Sequence, residues 1–331
     1  MKQITIRSTI ISVLFGLLLV CLPLAAWAQG SRADSAVSYF NRGNDWMKKG
    51  EWERAIDDFS MAIAFNPELA TAYFNRGYAR EAKTDLDGAM ADYNRALAID
   101  PTYADAYIKR GNLFYKKREV DDAMNDYSRA LDLNPKLVEA WNNRGAIRIF
   151  KGDFDGALAD CKQALSLNSR LPDIWNNCAN ARYEKGDLTG AIADYDKAIA
   201  IDPRLAIAYA NRGNVYRIKE DFDKALADFN KALALDPNFK YALKSRGIVQ
   251  LKKHNYQAAL ADFDSSLALD PDMPDVLWNR GLTNILLERY DEAEKDFTRC
   301  LSLNPVNRAE LESLLKDIRQ IRVEKKLKKP V

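Results

Sequence analysis

Histidine is almost absent: His254 is the one copy in 331 residues. It falls in a turn, where an imidazole is ordinarily solvated. Metal-ligand clusters, nucleophile motifs and Gly-rich phosphate loops are missing too. Adjacent acids such as Asp57-Asp58 and Asp121-Asp122 sit on amphipathic segments and read as solvated charge. A surplus of one charge sign is also lacking, since 49 basic residues face 47 acidic ones for a formal net charge of +2. Together these absences argue against an enzyme, a cofactor or a metal centre. They also argue against a nucleic-acid binder, which carries a large basic excess.

What is present begins with an N-terminal segment unlike the rest. Lys2 and Arg7 precede an apolar run from Ile10 to Leu24, broken only by Ser12, Gly16 and Pro23. Ala26-Trp27-Ala28 then offers the small-x-small pattern that a signal peptidase accepts. Residues 1–28 are therefore expected to be a secretory signal peptide and 29–35 a short linker. The competing expectation is an uncleaved membrane anchor, because residues 10–28 are uncharged and near bilayer-spanning length. Cys21 follows Val20 rather than a small residue, which argues against lipidation. The expected location is periplasmic or secreted; the alternative is membrane-anchored by residues 10–28.

With 47% hydrophobic residues the remainder can bury a substantial core, and it is built on a period. Asn-Arg-Gly recurs at residues 41–43, 75–77, 143–145, 211–213 and 279–281, always 34 residues or a multiple of 34 apart. Eight units follow without slippage: 36–69, 70–103, 104–137, 138–171, 172–205, 206–239, 240–273 and 274–307. Position 4 of a unit is aromatic from Tyr39 to Tyr209, and position 8 is Gly in seven units. Position 20 is always Ala, position 24 is aromatic in seven units, and position 32 is Pro in seven. The spacings of 3 and 4 mark two helices per unit, and the proline ends the second.

This pattern of aromatic, Gly, Ala, aromatic, Ala and Pro resembles the tetratricopeptide repeat family over residues 36–307. The resemblance implies an all-α, right-handed superhelical solenoid whose first helices line a concave face. Position 11, often aromatic in that family, is Trp46, Phe114 and Tyr216 here, but Arg80, Arg148, Arg182, Gln250 and Asn284 elsewhere. Residues 308–325 keep an apolar stripe (Leu311, Leu314, Leu315, Ile318, Ile321) and are expected to cap the last unit, with 326–331 a basic tail. Ser35 is a candidate N-cap of the first helix.

Two polar columns carry the functional expectations. Position 6 holds Asn41, Asn75, Asn143, Asn177, Asn211 and Asn279, and position 9 adds Asn44, Asn112, Asn180 and Asn214. An amide both donates and accepts, which suits reading a peptide backbone whatever its side chains. The column is similar to the asparagine ladder in the repeat domain of O-linked N-acetylglucosamine transferases, although no catalytic domain is present. The alternative is that these amides bond among the repeats. Phe40, Phe74 and Trp278 at position 5 are candidate hydrophobic pockets, with inter-repeat packing as the alternative. The second column joins Arg at position 7 to Asp at position 23. It gives candidate structural pairs Arg42–Asp58, Arg76–Asp92, Arg110–Asp126, Arg144–Asp160, Arg212–Asp228, Arg246–Asp262 and Arg280–Asp296. Asp194 lacks such an arginine, because Cys178 stands at position 7.

The family's C-terminal-carboxylate clamp needs lysines that are missing here, with Asp105 and Asp173 where cations would stand. Cys300 reads as a buried thiol. Cys161 and Cys178 break their columns in adjacent helices and are expected to lie close together, as a possible disulfide. Lys325, Lys326, Lys328 and Lys329 read as a solvated end, or as a weak attraction to anionic lipid or an acidic partner. The expected partner is a protein or peptide: an extended segment on the concave face or, alternatively, folded partners on the convex face or edges.

Overall fold

The computed structural model describes residues 32–303 and 308–327, and these are helical apart from short connections. The expected signal segment 1–28 and the lysines at 328 and 329 lie outside the described residues. No described helix is long and apolar enough to cross a membrane. Two compact units divide the chain, one ending at Ile147 and one beginning at Arg148.

The first unit contains α1 (32–48), α2 (Trp52–Phe65), α3 (Ala70–Ala82), α4 (Leu86–Ile99), α5 (Ala104–Lys116), α6 (Val120–Leu133) and most of α7 (Val138–Phe150). The second contains the end of α7, then α8 (Phe154–Leu167), α9 (Pro172–Glu184), α10 (Leu188–Ile201), α11 (Ala206–Ile218) and α12 (Phe222–Leu235). It continues through α13 (Lys240–Lys252), α14 (Tyr256–Leu269), α15 (Pro274–Leu286), α16 (Tyr290–Ser302) and α17 (Arg308–Leu327). Two boundaries differ from expectation. Residues 32–35 are helical, so Ser35 lies inside α1 and does not cap it. The terminal helix reaches Leu327 rather than stopping at 325.

In six repeats the two helices pack through the Gly at position 8 and the ring at position 24. A Cβ on Gly77 would stand 2.8 Å from Tyr93, and one on Gly247 would stand 2.6 Å from Phe263. That approach buries both rings completely and places position 20 (Ala55 to Ala293) in the core at no exposure. The turn between the helices is made the same way in every repeat. Position 15 is left-handed in all eight: Gly50, Thr84, Arg118, Gly152, Gly186, Glu220, His254 and Glu288, with φ between 57° and 83°. Position 16 then starts the second helix. Asp85, Asp153 and Asp187 accept from the backbone N–H three residues on at 2.9–3.0 Å. At its end, an Asn or Asp before the Pro accepts from the N–H two residues on, as in Asn66–Glu68 (3.1 Å) and Asp236–Asn238 (3.0 Å). In the second unit α17 covers the last repeat by packing Leu311, Leu315 and Ile318 against Leu277, Phe297 and Cys300.

Candidate functional site

Position 6 and position 9 amides meet across consecutive repeats. In the first unit Asn75 donates to Asn44 Oδ1 (2.7 Å) and Asn143 donates to Asn112 Oδ1 (3.0 Å). In the second unit Asn211 donates to both Asn180 (3.2 Å) and Asn176 (3.1 Å). Two of the acceptors hold a further bond, because Tyr127 donates to Asn112 (2.6 Å) and Tyr195 to Asn180 (2.5 Å). These asparagines thus bracket the buried ring of their own repeat against the first helix of the next. Burial of the two phenols pushes their pKa values up, with nearby acids adding to the effect.

The rest of the column is arranged differently. Asn41 is exposed and Asn177 half-buried. Asn279 donates back to the Asp275 carbonyl of its own helix (2.6 Å), and Asn214 accepts from Arg217 (3.3 Å). Phe40 packs on Phe59 with ring centroids 5.8 Å apart, Phe74 on Tyr93 (5.7 Å) and Tyr103 (4.7 Å), and Trp278 on Phe297 (5.8 Å). These three rings are half-buried and directed at the core of their own or the next repeat rather than at open pockets.

The guanidinium–carboxylate geometry is bidentate. Arg42, Arg110, Arg212 and Arg246 each place Nε and Nη2 on the two oxygens of Asp58, Asp126, Asp228 and Asp262 at 2.6–2.9 Å. Arg76–Asp92 (3.0 and 2.7 Å) and Arg280–Asp296 (3.1 Å at Nε) follow the same form. Arg144 and Asp160 belong to different units. The free Nη1 reaches back to position 25 of the preceding repeat, as in Arg76–Ser60 (3.0 Å), Arg110–Asn94 (2.9 Å) and Arg246–Asn230 (2.7 Å). One side chain therefore ties three helices. Position 11 completes the clasp. Trp46 Nε1 donates to Asp58 (3.0 Å), Arg80 to Asp92 (2.8 Å) and Asn284 to Asp296 (3.1 Å). The departures of position 11 from the family's aromatic consensus, Arg80 and Asn284 among them, are hydrogen-bonding side chains and are the sequence signal of this clasp.

Repeat 172–205 is the exception. Asp194 is bonded by Arg182 from position 11, but its Oδ1 is buried without a hydrogen-bond partner. Burial raises its pKa above the ordinary 3.8, outweighing Arg182 and Lys197. Cys178 and Cys161 are free and buried at the α8–α9 interface; interaction with Cys161 and burial push the Cys178 pKa up.

A cleft of ≈ 500 Å³ opens in the second unit along the first helices. Asn180, Asn211, Asn214 and Asn279 line it with Tyr183, Tyr241, Ser245 and Ile248. Tyr241 is 53% exposed. Two charged pairs of groups are present. Lys244 is held by Asp275 (2.8 Å), whereas Arg217 and Glu184, both in the lining, make no ion pair. Among the described residues no cluster could hold a metal ion.

Helix pairs repeating every 34 residues, six of them locked by a Gly–ring contact and an Arg–Asp clasp, define an all-α helical-repeat protein. The chain belongs to the tetratricopeptide repeat family. Residues 43–84, 82–118, 111–148 and 179–217 match the TPR repeat model, and 138–171, 206–239 and 244–307 match models of the tetratricopeptide repeat. No curated protein matches the chain. Its fold is similar to a tetratricopeptide repeat protein from Parabacteroides merdae (TM-score 0.62, 21% identity, covering 76% of this chain and 99% of that one). It is also similar to the Cut9–Hcn1 hetero-tetramer of the APC/C (0.65, 20%, 74% and 48%) and to Pseudomonas aeruginosa pilF (0.56, 20%, 64% and 96%).

Proposed function

We propose that the protein is a non-enzymatic interaction scaffold, exported from the cytoplasm, that binds an extended peptide segment of a partner along the concave face of its first helices. The observation that carries this reading is the cleft of the second unit, lined by four asparagine amides from the first helices α9, α11 and α15. Asn214 and Asn279, each held by one bond, still offer amide groups to a ligand. A peptide backbone presents the complementary pair at every residue, so a row of such amides tracks it whatever its sequence. Tyr183 and Tyr241 add apolar area with a polar edge. Arg217 and Glu184, free of ion pairs, receive a ligand charge of either sign without first breaking a bridge. Family membership supports the scaffold reading, and the N-terminal sequence supports export.

The geometry also selects the residues for the test. Asn75, Asn143 and Asn211 hold repeats together, so truncating them disturbs the fold as well as any ligand. Asn214, Asn279 and Tyr241 make no bond to a neighbouring repeat, which makes an Asn214→Ala/Asn279→Ala/Tyr241→Ala variant the cleaner probe. Affinity capture from envelope extract should recover partners with the wild-type chain that this variant loses, while its thermal midpoint stays close to wild type. Identical partners on both proteins would move binding to the convex face or the edges.

A further inference from the structure

We infer that Cys161 and Cys178 form a site of covalent modification: an intramolecular disulfide, made by exchange with a disulfide oxidant, that staples α8 to α9. The inference does not depend on the peptide-binding reading.

Three observations place it. First, the two residues stand at a junction where other repeats have a different tie. Elsewhere the arginine at position 7 reaches position 25 of the preceding repeat, for example Arg110–Asn94 at 2.9 Å and Arg280–Asp264 at 2.8 Å. The same helix-to-helix register sets position 7 of repeat 172–205 against positions 24 and 25 of the repeat before it, and both 7 and 24 are cysteine there. Second, both thiols are buried, Cys161 at 5% exposure and Cys178 at 2%, and Cys161 is the neighbour that acts most strongly on the Cys178 thiol. Third, replacing arginine by Cys178 has a visible cost: Asp194 Oδ1 is buried with no hydrogen-bond partner. The arginine tie is gone from this junction, and two buried cysteines occupy its place. Cys300 provides the contrast, since its thiol is taken by the Pro274 carbonyl at 3.3 Å.

The chemistry is a two-step exchange. One cysteine thiolate attacks a sulfur of the oxidant's disulfide, such as oxidised glutathione, expelling one thiol and leaving a mixed disulfide. The second thiolate attacks the protein sulfur of that mixed disulfide and expels the other thiol. The protein loses two hydrogens, and the oxidant is reduced to two thiols. Because both sulfurs are buried once α8 and α9 have packed, exchange proceeds in the unfolded or opening chain and is slow in the folded one. Once made, the bond closes a short loop of the unfolded chain and stabilises the junction.

The test is to refold the full chain in a glutathione redox buffer, quench with acid, alkylate under denaturing conditions and map the peptides by mass spectrometry. The expected result is two fewer alkylated thiols than in the reduced chain and one cross-linked peptide pair containing Cys161 and Cys178. The oxidised chain should melt several degrees above the reduced one, and Cys161→Ser and Cys178→Ser should each abolish that difference. Full alkylation of Cys161 and Cys178 after oxidative refolding, or a cross-link that runs instead through Cys300 or Cys21, would overturn the inference. The peptide map needs no variant, so the outcome does not depend on whether a substituted chain folds.

Discussion

Asp228→Ala should destabilise the protein far more than Asp194→Ala, although both remove an aspartate from position 23. Asp228 accepts from Arg212 at 2.8 and 2.7 Å, with side chains 8% and 18% exposed. Removing it leaves a largely buried guanidinium whose remaining partner is Asp196 on the preceding repeat. Breaking a buried ion pair from one side costs about 3–5 kcal/mol, and the surviving Asp196 contact places this case near about 3 kcal/mol. Asp194 starts from a worse position. One of its oxygens has no hydrogen bond and faces the Lys197 ammonium only at 3.6 Å, and its other partner Arg182 is 37% exposed. Its removal relieves a desolvated carboxylate and frees a guanidinium that already reaches solvent, so the expected cost is about 1 kcal/mol. In a stacked-repeat chain such losses act through the affected repeat and its neighbours. Urea unfolding monitored by circular dichroism, at equal slopes for the two variants, reads the difference directly. An Asp194→Ala variant as unstable as Asp228→Ala would refute the reasoning that bidentate geometry, not mere burial of the carboxylate, stabilises the repeats.

Other outcomes follow from the same contacts. Thr84 holds φ 63° at position 15, a conformation costly for a β-branched residue, so Thr84→Gly should stabilise by about 1 kcal/mol in chemical denaturation. Tyr195→Phe removes the hydroxyl that donates to Asn180 but keeps the ring, and should cost about 1 kcal/mol. In a carboxyl-carbon NMR titration Asp194 should titrate above 3.8, while Asp221 and Asp270, bonded to Lys224 and Lys240, titrate below it. The sign for stability follows: with its folded pKa raised, Asp194 favours the fold at low pH, and that contribution is lost as pH rises through its folded value.

The helix pairs were legible in the sequence because the constraints recur in phase. Gly at position 8 can only be required by a close neighbour, Ala at position 20 by a crowded interface, and Pro at position 32 by a helix end. Eight copies average away local exceptions. The turn conformation was hidden, since position 15 reads Gly, Thr, Arg, Gly, Gly, Glu, His and Glu, and only backbone geometry reveals the shared left-handed φ. His254 is one of these residues, and its place in the turn is the repeat's rather than an imidazole's. The start of α1 was hidden because residues 32–35, Arg-Ala-Asp-Ser, precede the first copy of the period and carry no repeat signal. In the candidate site the columns of amides could be read, but not their partners. Whether Asn211 faces a ligand or Asn180 depends on the spacing of helices 31 residues apart, which no local pattern encodes.

The most direct test is to place a photo-crosslinking amino acid at Tyr241, in the lining of the first-helix cleft, or at Lys231, exposed on the second helix α12, and to irradiate each protein with the captured partner. A peptide-binding first-helix face predicts cross-links from position 241 to one contiguous segment of the partner and none from 231. Cross-links from 231 alone, or from both positions to scattered surface residues, would contradict it.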